Sequence, residues 1–113
     1  MINLFVYGTL KKGFRNDFGF SRSPIKFDKI KGKMYKVPGG DYSFPALILD
    51  EEGIVEGEIH QVSEEAMEII DRIEGSMYKK VPVMTESGQE CTVYAWALGK
   101  KYLENYSKNN WED

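Results

Sequence analysis

The chain has 113 residues, 42% of them hydrophobic and 29% charged, with a formal net charge of −3. This composition indicates one folded domain over residues 1–113 and excludes a disordered chain or a strongly basic nucleic-acid-binding protein. The N-terminus turns polar too soon for a signal peptide, and no apolar run approaches the ~18 residues that cross a bilayer, so we expect a cytoplasmic protein without a membrane partner.

The first half of the chain predicts short strands separated by turns. Residues 2–7 are apolar, β-branched or aromatic and stop at Gly8, which is typical of a buried strand. Residues 11–29 are broken by glycine and proline and predict an irregular segment. Strands are predicted over 30–37 and 46–49, with a turn at 38–41, and residues 50–53 predict a hairpin-like connection to a strand at Ile54–Val62.

A helix is predicted over Glu64–Glu74. Its apolar stripe has helical spacing and consists of Ala66, Ile69, Ile70 and Ile73. Ser63 is the expected N-cap, and Gly75 stands where the helix should stop. Acidic residues in the first turn favour the positive end of the helix dipole.

The remaining residues predict a hairpin and a polar tail. Strands are expected over 78–85 and 90–98, joined at Ser87-Gly88. In the tail, the candidate anchors to the core are Tyr102, Leu103, Tyr106 and Trp111. Because strands and helices do not alternate regularly, the pattern predicts an α+β fold on a curled sheet or small barrel.

The sequence lacks the residue patterns that several kinds of site require. The single histidine, His60, and the single cysteine, Cys91, stand without partners at metal-ligand spacing, and one cysteine cannot form an internal disulfide. We interpret His60 as a surface residue of a strand and Cys91 as an inert strand residue. No phosphate loop, dinucleotide fingerprint or nucleophile elbow is present, so no cofactor or metal is expected. Residues 1–36 hold nine Lys or Arg, which we interpret as a solvated face rather than a nucleic-acid site.

Two features remain that suit catalysis. Tyr7, Gly8, Thr9 and Leu10 follow the first strand, where successive backbone N–H groups can cradle a carboxylate; many strand ends carry such a turn without function. Glu74 lies beside the apolar stripe at the helix C-terminus. Desolvation and the negative helix end would both raise the pKa of its carboxyl, which suits a general acid/base, whereas a solvent-facing last-turn residue is the alternative.

Together these residues resemble the γ-glutamylcyclotransferase-like superfamily, in its short-chain branch. The matching segments, in chain order, are Phe5-Val6-Tyr7-Gly8-Thr9-Leu10-Lys11-Lys12-Gly13, Gly32-Lys33-Met34-Tyr35, Tyr42-Ser43-Phe44-Pro45-Ala46-Leu47, Val55-Glu56-Gly57-Glu58-Ile59, Ile70-Asp71-Arg72-Ile73-Glu74-Gly75 with Tyr78, and Tyr94-Ala95-Trp96. They span nearly the whole chain.

The resemblance implies an α+β fold, a small β-barrel-like sheet with flanking helices. It places the substrate loop on Tyr7, Gly8, Thr9 and Leu10, the catalytic glutamate on Glu74, and a pocket aromatic on Tyr78, for which an ordinary core tyrosine is the alternative. One departure concerns residue 80, where the family often has Arg and this chain has Lys80, which keeps the charge but loses the planar fork.

The implied reaction is cyclisation of a γ-glutamyl group to 5-oxoproline with release of an amine or amino acid, without cofactor or metal. Small-molecule γ-glutamyl compounds are thus the expected partners. The leaving group and the oligomeric state stay open. The alternative from another class is a non-catalytic ligand-binding or interaction module on the same fold.

Overall fold

A computed structural model describes residues 1–8, 26–39 and 42–112. In these ranges the elements are β1 (Ile2–Val6), β2 (Lys26–Lys31), β3 (Lys33–Val37), β4 (Phe44–Ile48), β5 (Ile54–Val62), α1 (Glu64–Glu74), β6 (Tyr78–Met84), β7 (Glu90–Trp96) and β8 (Glu104–Asn105). Short 3-10 helices occupy Gly75–Met77 and Lys100–Tyr102. The predicted α+β class is confirmed.

The strands form two sheets. The larger has the order β2-β5-β1-β7-β6, in which β1 and β7 are parallel and the other neighbours antiparallel, and the smaller has the order β4-β3-β8. β2 pairs with β5 in the larger sheet, while β3 pairs with β4 in the smaller. The strands β2, β3, β4 and β5 therefore form one long hairpin whose two arms bend from one sheet into the other.

Glycines make this bend possible. The Gly32 N–H donates to the Gly53 carbonyl oxygen at 3.1 Å, and both glycines have φ near +150°, a region that favours glycine. A Cβ on Gly53 would lie 2.7 Å from the Gly32 carbonyl oxygen. The bend corrects three expectations: residues 30–37 are two strands, residues 50–53 join two sheets rather than closing a hairpin, and residues 26–29 belong to β2 instead of an irregular segment.

The larger sheet curls, and a turn at one of its edges contacts the strand at the other edge. The turn between β6 and β7 reaches β2, where the Glu86 N–H donates to the Lys29 carbonyl oxygen at 2.9 Å. Ser87 adds a side-chain bond to Asp28 and accepts one from Lys26. Burial alone would raise the pKa of Asp28, but hydrogen bonds from Ser87, Thr85 and the Lys29 amide lower it to about 2. The expectation of a curled sheet agrees with this closure.

The core lies on both faces of β1. Phe5 and Tyr7 point into a cluster enclosed by the two sheets, whereas Leu4 and Val6 point to a second cluster under α1. This alternation follows from the two-residue period of a strand.

The helix packs with a face rotated from the predicted stripe. Met67, only 4% exposed, and Ile70 are its buried residues, whereas Ile69 is 47% exposed. Ala66 is partly buried against the same cluster. The prediction for Ile69 was wrong because Ile69 and Met67 both fit a helical stripe with Ile70, and only the position of the sheet decides which one is covered.

The C-terminal segment closes the end of the enclosed core. Trp111 is buried in that core, and its ring centroid lies 4.9 Å from that of Tyr106, which is partly buried. The Asn109 carbonyl oxygen accepts the Glu56 N–H at 2.7 Å. Trp111 and Tyr106 are therefore anchors as predicted, but Tyr102 is exposed and is not.

Candidate active site

A cavity of about 120 Å³ opens where β1 ends beside the C-terminus of α1. Its lining combines five aromatic rings, one carboxyl and several apolar side chains: Phe5, Val6, Tyr7, Gly8, Phe44, Pro45, Ile73, Glu74, Met77, Tyr78 and Tyr94. The predicted site residues Tyr7, Gly8, Glu74 and Tyr78 thus line one cavity. Thr9 and Leu10 lie outside the described residues, and their part in the cradle stays a prediction.

Local signals place Glu74 at the cavity. The Ser63 hydroxyl accepts the Ala66 N–H at 3.1 Å, which fixes the start of α1 as predicted. Eleven residues later the helix ends at Glu74, because Gly75 has φ of +70° and donates its N–H to the Asp71 carbonyl oxygen. Burial of the carboxyl raises the pKa of Glu74 from 4.5 to about 7. The cavity therefore contains a carboxyl that can gain and lose a proton near neutral pH.

The tyrosine hydroxyls around Glu74 donate to protein acceptors. Tyr7 donates to the Tyr94 carbonyl oxygen and Tyr78 to the Pro45 carbonyl oxygen, both at 2.6 Å, and Tyr94 donates to the Asp71 carboxylate. Burial is the main cause that raises the pKa of all three phenols; the hydrogen bond to Asp71 adds to it for Tyr94, and the charge of Glu74 contributes to each. A hydroxyl has one proton to donate, so these groups can offer only lone pairs to a bound molecule.

Gly8 faces the cavity, and the packing around it leaves no room for a side chain. It is buried, and a Cβ at this position would lie 2.5 Å from Cγ of Pro45. The contact between the end of β1 and β4 therefore requires glycine whether or not a ligand approaches its backbone. Pro45 belongs to β4, an edge strand of its sheet, where a missing N–H is tolerated.

Sequence reasoning did not assign the other seven lining residues to the site: Phe5, Val6, Phe44, Pro45, Ile73, Met77 and Tyr94. All of them except Met77 lie inside segments that carry the family resemblance, so that signal was available. Phe44 and Met77 are exposed at the cavity and form part of its apolar side.

Three residues that the sequence analysis discussed, His60, Cys91 and Lys80, lie outside the cavity. His60 is buried, and its Nε2 lies 2.9 Å from Glu58 Oε1, so its interpretation as a surface residue was wrong. Cys91 is buried in β7, and burial raises the pKa of its thiol, which disfavours the reactive thiolate. Lys80 pairs with Asp71 at 3.0 Å.

No group of three or more His, Cys, Asp or Glu side chains in residues 1–8, 26–39 and 42–112 is arranged to hold a metal ion. No helix in the same part of the chain is long and apolar enough to cross a membrane.

The sequence from residue 4 to residue 113 matches the model of the gamma-glutamyl cyclotransferase, AIG2-like family. The chain belongs to this family. A gamma-L-glutamyl-butirosin B gamma-glutamyl cyclotransferase from Niallia circulans is 37% identical over 76 residues, which cover 66% of this chain and 46% of that relative. The match thus spans less than half the length of the relative.

Solved structures share the family fold. An uncharacterized protein from Pyrococcus horikoshii has a TM-score of 0.72 at 27% identity, with 88% of this chain and 80% of that one covered. An AIG2-like protein from Mus musculus has a TM-score of 0.76 at 23% identity, with 99% and 88% covered. At that identity the mouse protein shows similarity of fold alone.

Proposed function

We propose that this protein cyclises a γ-glutamyl group to 5-oxoproline and releases an amine or an amino acid, with Glu74 as general acid/base. The family and the Niallia circulans relative, a gamma-glutamyl cyclotransferase by name, support this reaction type. The observation on which the proposal depends is the Glu74 carboxyl in the cavity, with a pKa of about 7.

The chemistry needs one proton carrier and a bent substrate. The α-amine nitrogen attacks the γ-carbonyl carbon, a new C–N bond closes the five-membered ring, and the bond to the leaving amine breaks. Ring closure is intramolecular, so holding the substrate bent supplies much of the rate. Glu74 takes a proton from the attacking amine and returns it to the leaving nitrogen, an exchange that a pKa near 7 favours in both directions. The class is an intramolecular aminoacyl transfer, performed by a lyase.

The lining of the cavity supports this assignment of atoms. Tyr7 and Tyr78 present only oxygen lone pairs, and Glu74 presents a carboxylate when ionised. Such a surface attracts a cation, and the α-ammonium of a γ-glutamyl group is a cation that must approach a base to react. The proposal places the α-carboxylate on the backbone N–H groups of Gly8, Thr9 and Leu10, which can also stabilise the oxyanion. Tyr78 bounds the pocket.

The wider assignment is part of the same proposal. We assign residues 1–113 to a single catalytic domain that needs no cofactor, acts on a small molecule in the cytoplasm and does not bind nucleic acid. Lys80 replaces the Arg frequent in similar proteins and pairs with Asp71, so its effect on substrate choice would be indirect.

The test is 5-oxoproline release from a panel of γ-glutamyl amino acids, γ-glutamyl amines and ε-(γ-glutamyl)lysine. We expect wild type to release 5-oxoproline and Glu74→Gln, which keeps the shape but not the base, to release at least about a hundredfold less. Glu68→Gln, on the exposed face of the same helix, is the matched control. Retained turnover in Glu74→Gln would remove Glu74 from the mechanism. Silence of wild type on the whole panel would favour the non-catalytic binding module.

A further inference from the structure

Tyr94 connects two parts of the cavity. Its backbone carbonyl accepts the Tyr7 hydroxyl, from the residue after β1, at 2.6 Å. Its own hydroxyl donates to the Asp71 carboxylate on α1, and its ring lines the cavity. One residue of β7 is therefore bonded to the beginning of the proposed substrate cradle and to the helix that ends at Glu74.

Asp71 holds the last turn of that helix. The buried side chains of α1, Met67 and Ile70, both precede it. In the described part of the chain, Asp71 makes the side-chain hydrogen bonds of α1 beyond Ile70. Its carbonyl oxygen also accepts the Gly75 N–H. Glu74 follows three residues later, on the same side of the helix. The bonds of Asp71 therefore connect the last turn of α1 to β7 and β6.

Lys80 extends this connection to β6. Its Nζ lies 3.0 Å from Oδ2 of Asp71, and the two side chains are 46% and 39% exposed. An ion pair this exposed contributes little to folding stability. The Lys80 ammonium also offsets the charge of the Asp71 carboxylate, which lies one helical turn from Glu74. The hydrogen bond from Tyr94 and that from Lys80 lower the pKa of Asp71, so this carboxylate stays ionised at neutral pH.

We propose that Lys80, Asp71 and Tyr94 form a positioning chain that holds the Glu74 carboxyl and the Tyr94 ring in the geometry for proton transfer. This inference rests on the proposed function of Glu74. The chain acts in two separable ways. The Tyr94–Asp71 bond fixes where Glu74 lies, and the Lys80 charge sets how strongly the Asp71 carboxylate acts on Glu74.

The positional part is tested by Tyr94→Phe, which removes one hydroxyl and keeps the ring. We expect kcat for 5-oxoproline release to fall about tenfold while KM changes less than about threefold, because the bond positions the acid/base rather than the substrate. Circular dichroism and thermal unfolding establish that the variant is folded. Asp71→Asn, which keeps an acceptor for the Tyr94 hydroxyl, should retain more of kcat than Tyr94→Phe.

The electrostatic part is tested without turnover, by carboxyl ¹³C NMR titration of Glu74, whose signal is assigned by its loss in Glu74→Gln. Tyr7, Tyr78 and Tyr94 interact electrostatically with this carboxyl, Asp71 lies one helical turn before it, and Lys80 reaches it only through Asp71. Lys80→Met leaves the Asp71 charge uncompensated, so the pKa of Glu74 should rise by about 0.3 to 0.5. Lys80→Arg should leave it unchanged, as should Lys79→Met, the exposed neighbour on β6.

The outcomes separate this inference from the function on which it rests. Wild-type kcat in Tyr94→Phe, or an equal Glu74 pKa in Lys80→Met and Lys79→Met, overturns the positioning chain. If wild type releases no 5-oxoproline from any substrate, the proposed function fails, and the NMR titration still decides whether Lys80 acts on Glu74. A raised Glu74 pKa in Lys80→Met together with a selective loss of kcat in Tyr94→Phe supports both.

Discussion

The raised pKa of Glu74 makes a prediction about folding that does not depend on the substrate. A carboxyl whose pKa is higher in the folded than in the unfolded protein binds its proton more tightly when folded. Its favourable contribution is complete below the unfolded value of 4.5 and is lost as the pH rises through about 7. Above pH 7 the folded protein must hold a desolvated carboxylate, so replacing Glu74 by the neutral Gln should stabilise it there.

The magnitude follows from the size of the pKa change. A rise from 4.5 to about 7 corresponds to a ceiling of about 3 kcal/mol. Glu74 is only partly buried and its surroundings can relax, so we expect about 1–2 kcal/mol between the two ends of the titration. Any cost of placing an amide at this position is the same at both pH values and cancels from the difference.

The assay is urea unfolding of wild type and Glu74→Gln at pH 5.0 and pH 8.5. The free energy of unfolding of Glu74→Gln relative to wild type should be about 1–2 kcal/mol higher at pH 8.5 than at pH 5.0. Glu68→Gln, on the exposed face of α1, should show a difference below about 0.5 kcal/mol. The same relative stability of Glu74→Gln at both pH values would refute the desolvation of Glu74, and with it the reason for expecting a proton carrier near pH 7.

Two further predictions concern contacts between segments that are distant in the sequence. Gly8→Ala places a methyl group 2.5 Å from Pro45 Cγ and should lower the free energy of unfolding by about 1–3 kcal/mol. Gly99→Ala is the control, because a Cβ there would have nothing within 4 Å and should change the stability little. Equal effects of the two variants in thermal unfolding would count against the Gly8–Pro45 contact. Asp28→Asn should destabilise the closure between β2 and the β6–β7 turn by about 1 kcal/mol at pH 7. Because the folded pKa of Asp28 is depressed to about 2, its contribution is present above 3.8 and fades as the pH falls toward 2. A destabilisation by Asp28→Asn that is as large at pH 2.5 as at pH 7 would contradict this origin, and Asp50→Asn, at an exposed position, serves as the control.

Elements that depend on neighbours along the chain could be predicted from the sequence. The bounds of α1 follow from the Ser63 cap and the Gly75 stop, which act within one helical turn. β5 follows from an apolar run between turn residues, and the β6–β7 hairpin from Ser87-Gly88, where Gly88 has φ of +89°. The position of Glu74 at the end of an amphipathic helix could also be predicted, but the sequence did not decide whether its carboxyl is buried or exposed to solvent.

The family resemblance identified site residues that local sequence patterns could not identify. It selected Tyr7, Gly8, Glu74 and Tyr78 from segments up to 71 residues apart, and the structure brings all four to one cavity. Glu74 and Tyr7 come from different elements, and no periodicity or capping rule relates them.

Other features depended on long-range packing. Whether Met67 or Ile69 is covered depends on where the sheet lies, since both positions fit a helical stripe. The bend at Gly32 depends on contact with Gly53, and the need for glycine at residue 8 depends on Pro45. The link from Tyr7 through Tyr94 and Asp71 to Lys80 joins β1, β7, α1 and β6. The sequence by itself therefore determined α1, β5 and the β6–β7 hairpin, because backbone caps and turns act over a few residues. The tertiary structure decided which side chains meet, because burial and hydrogen bonding between distant segments depend on how the strands pair.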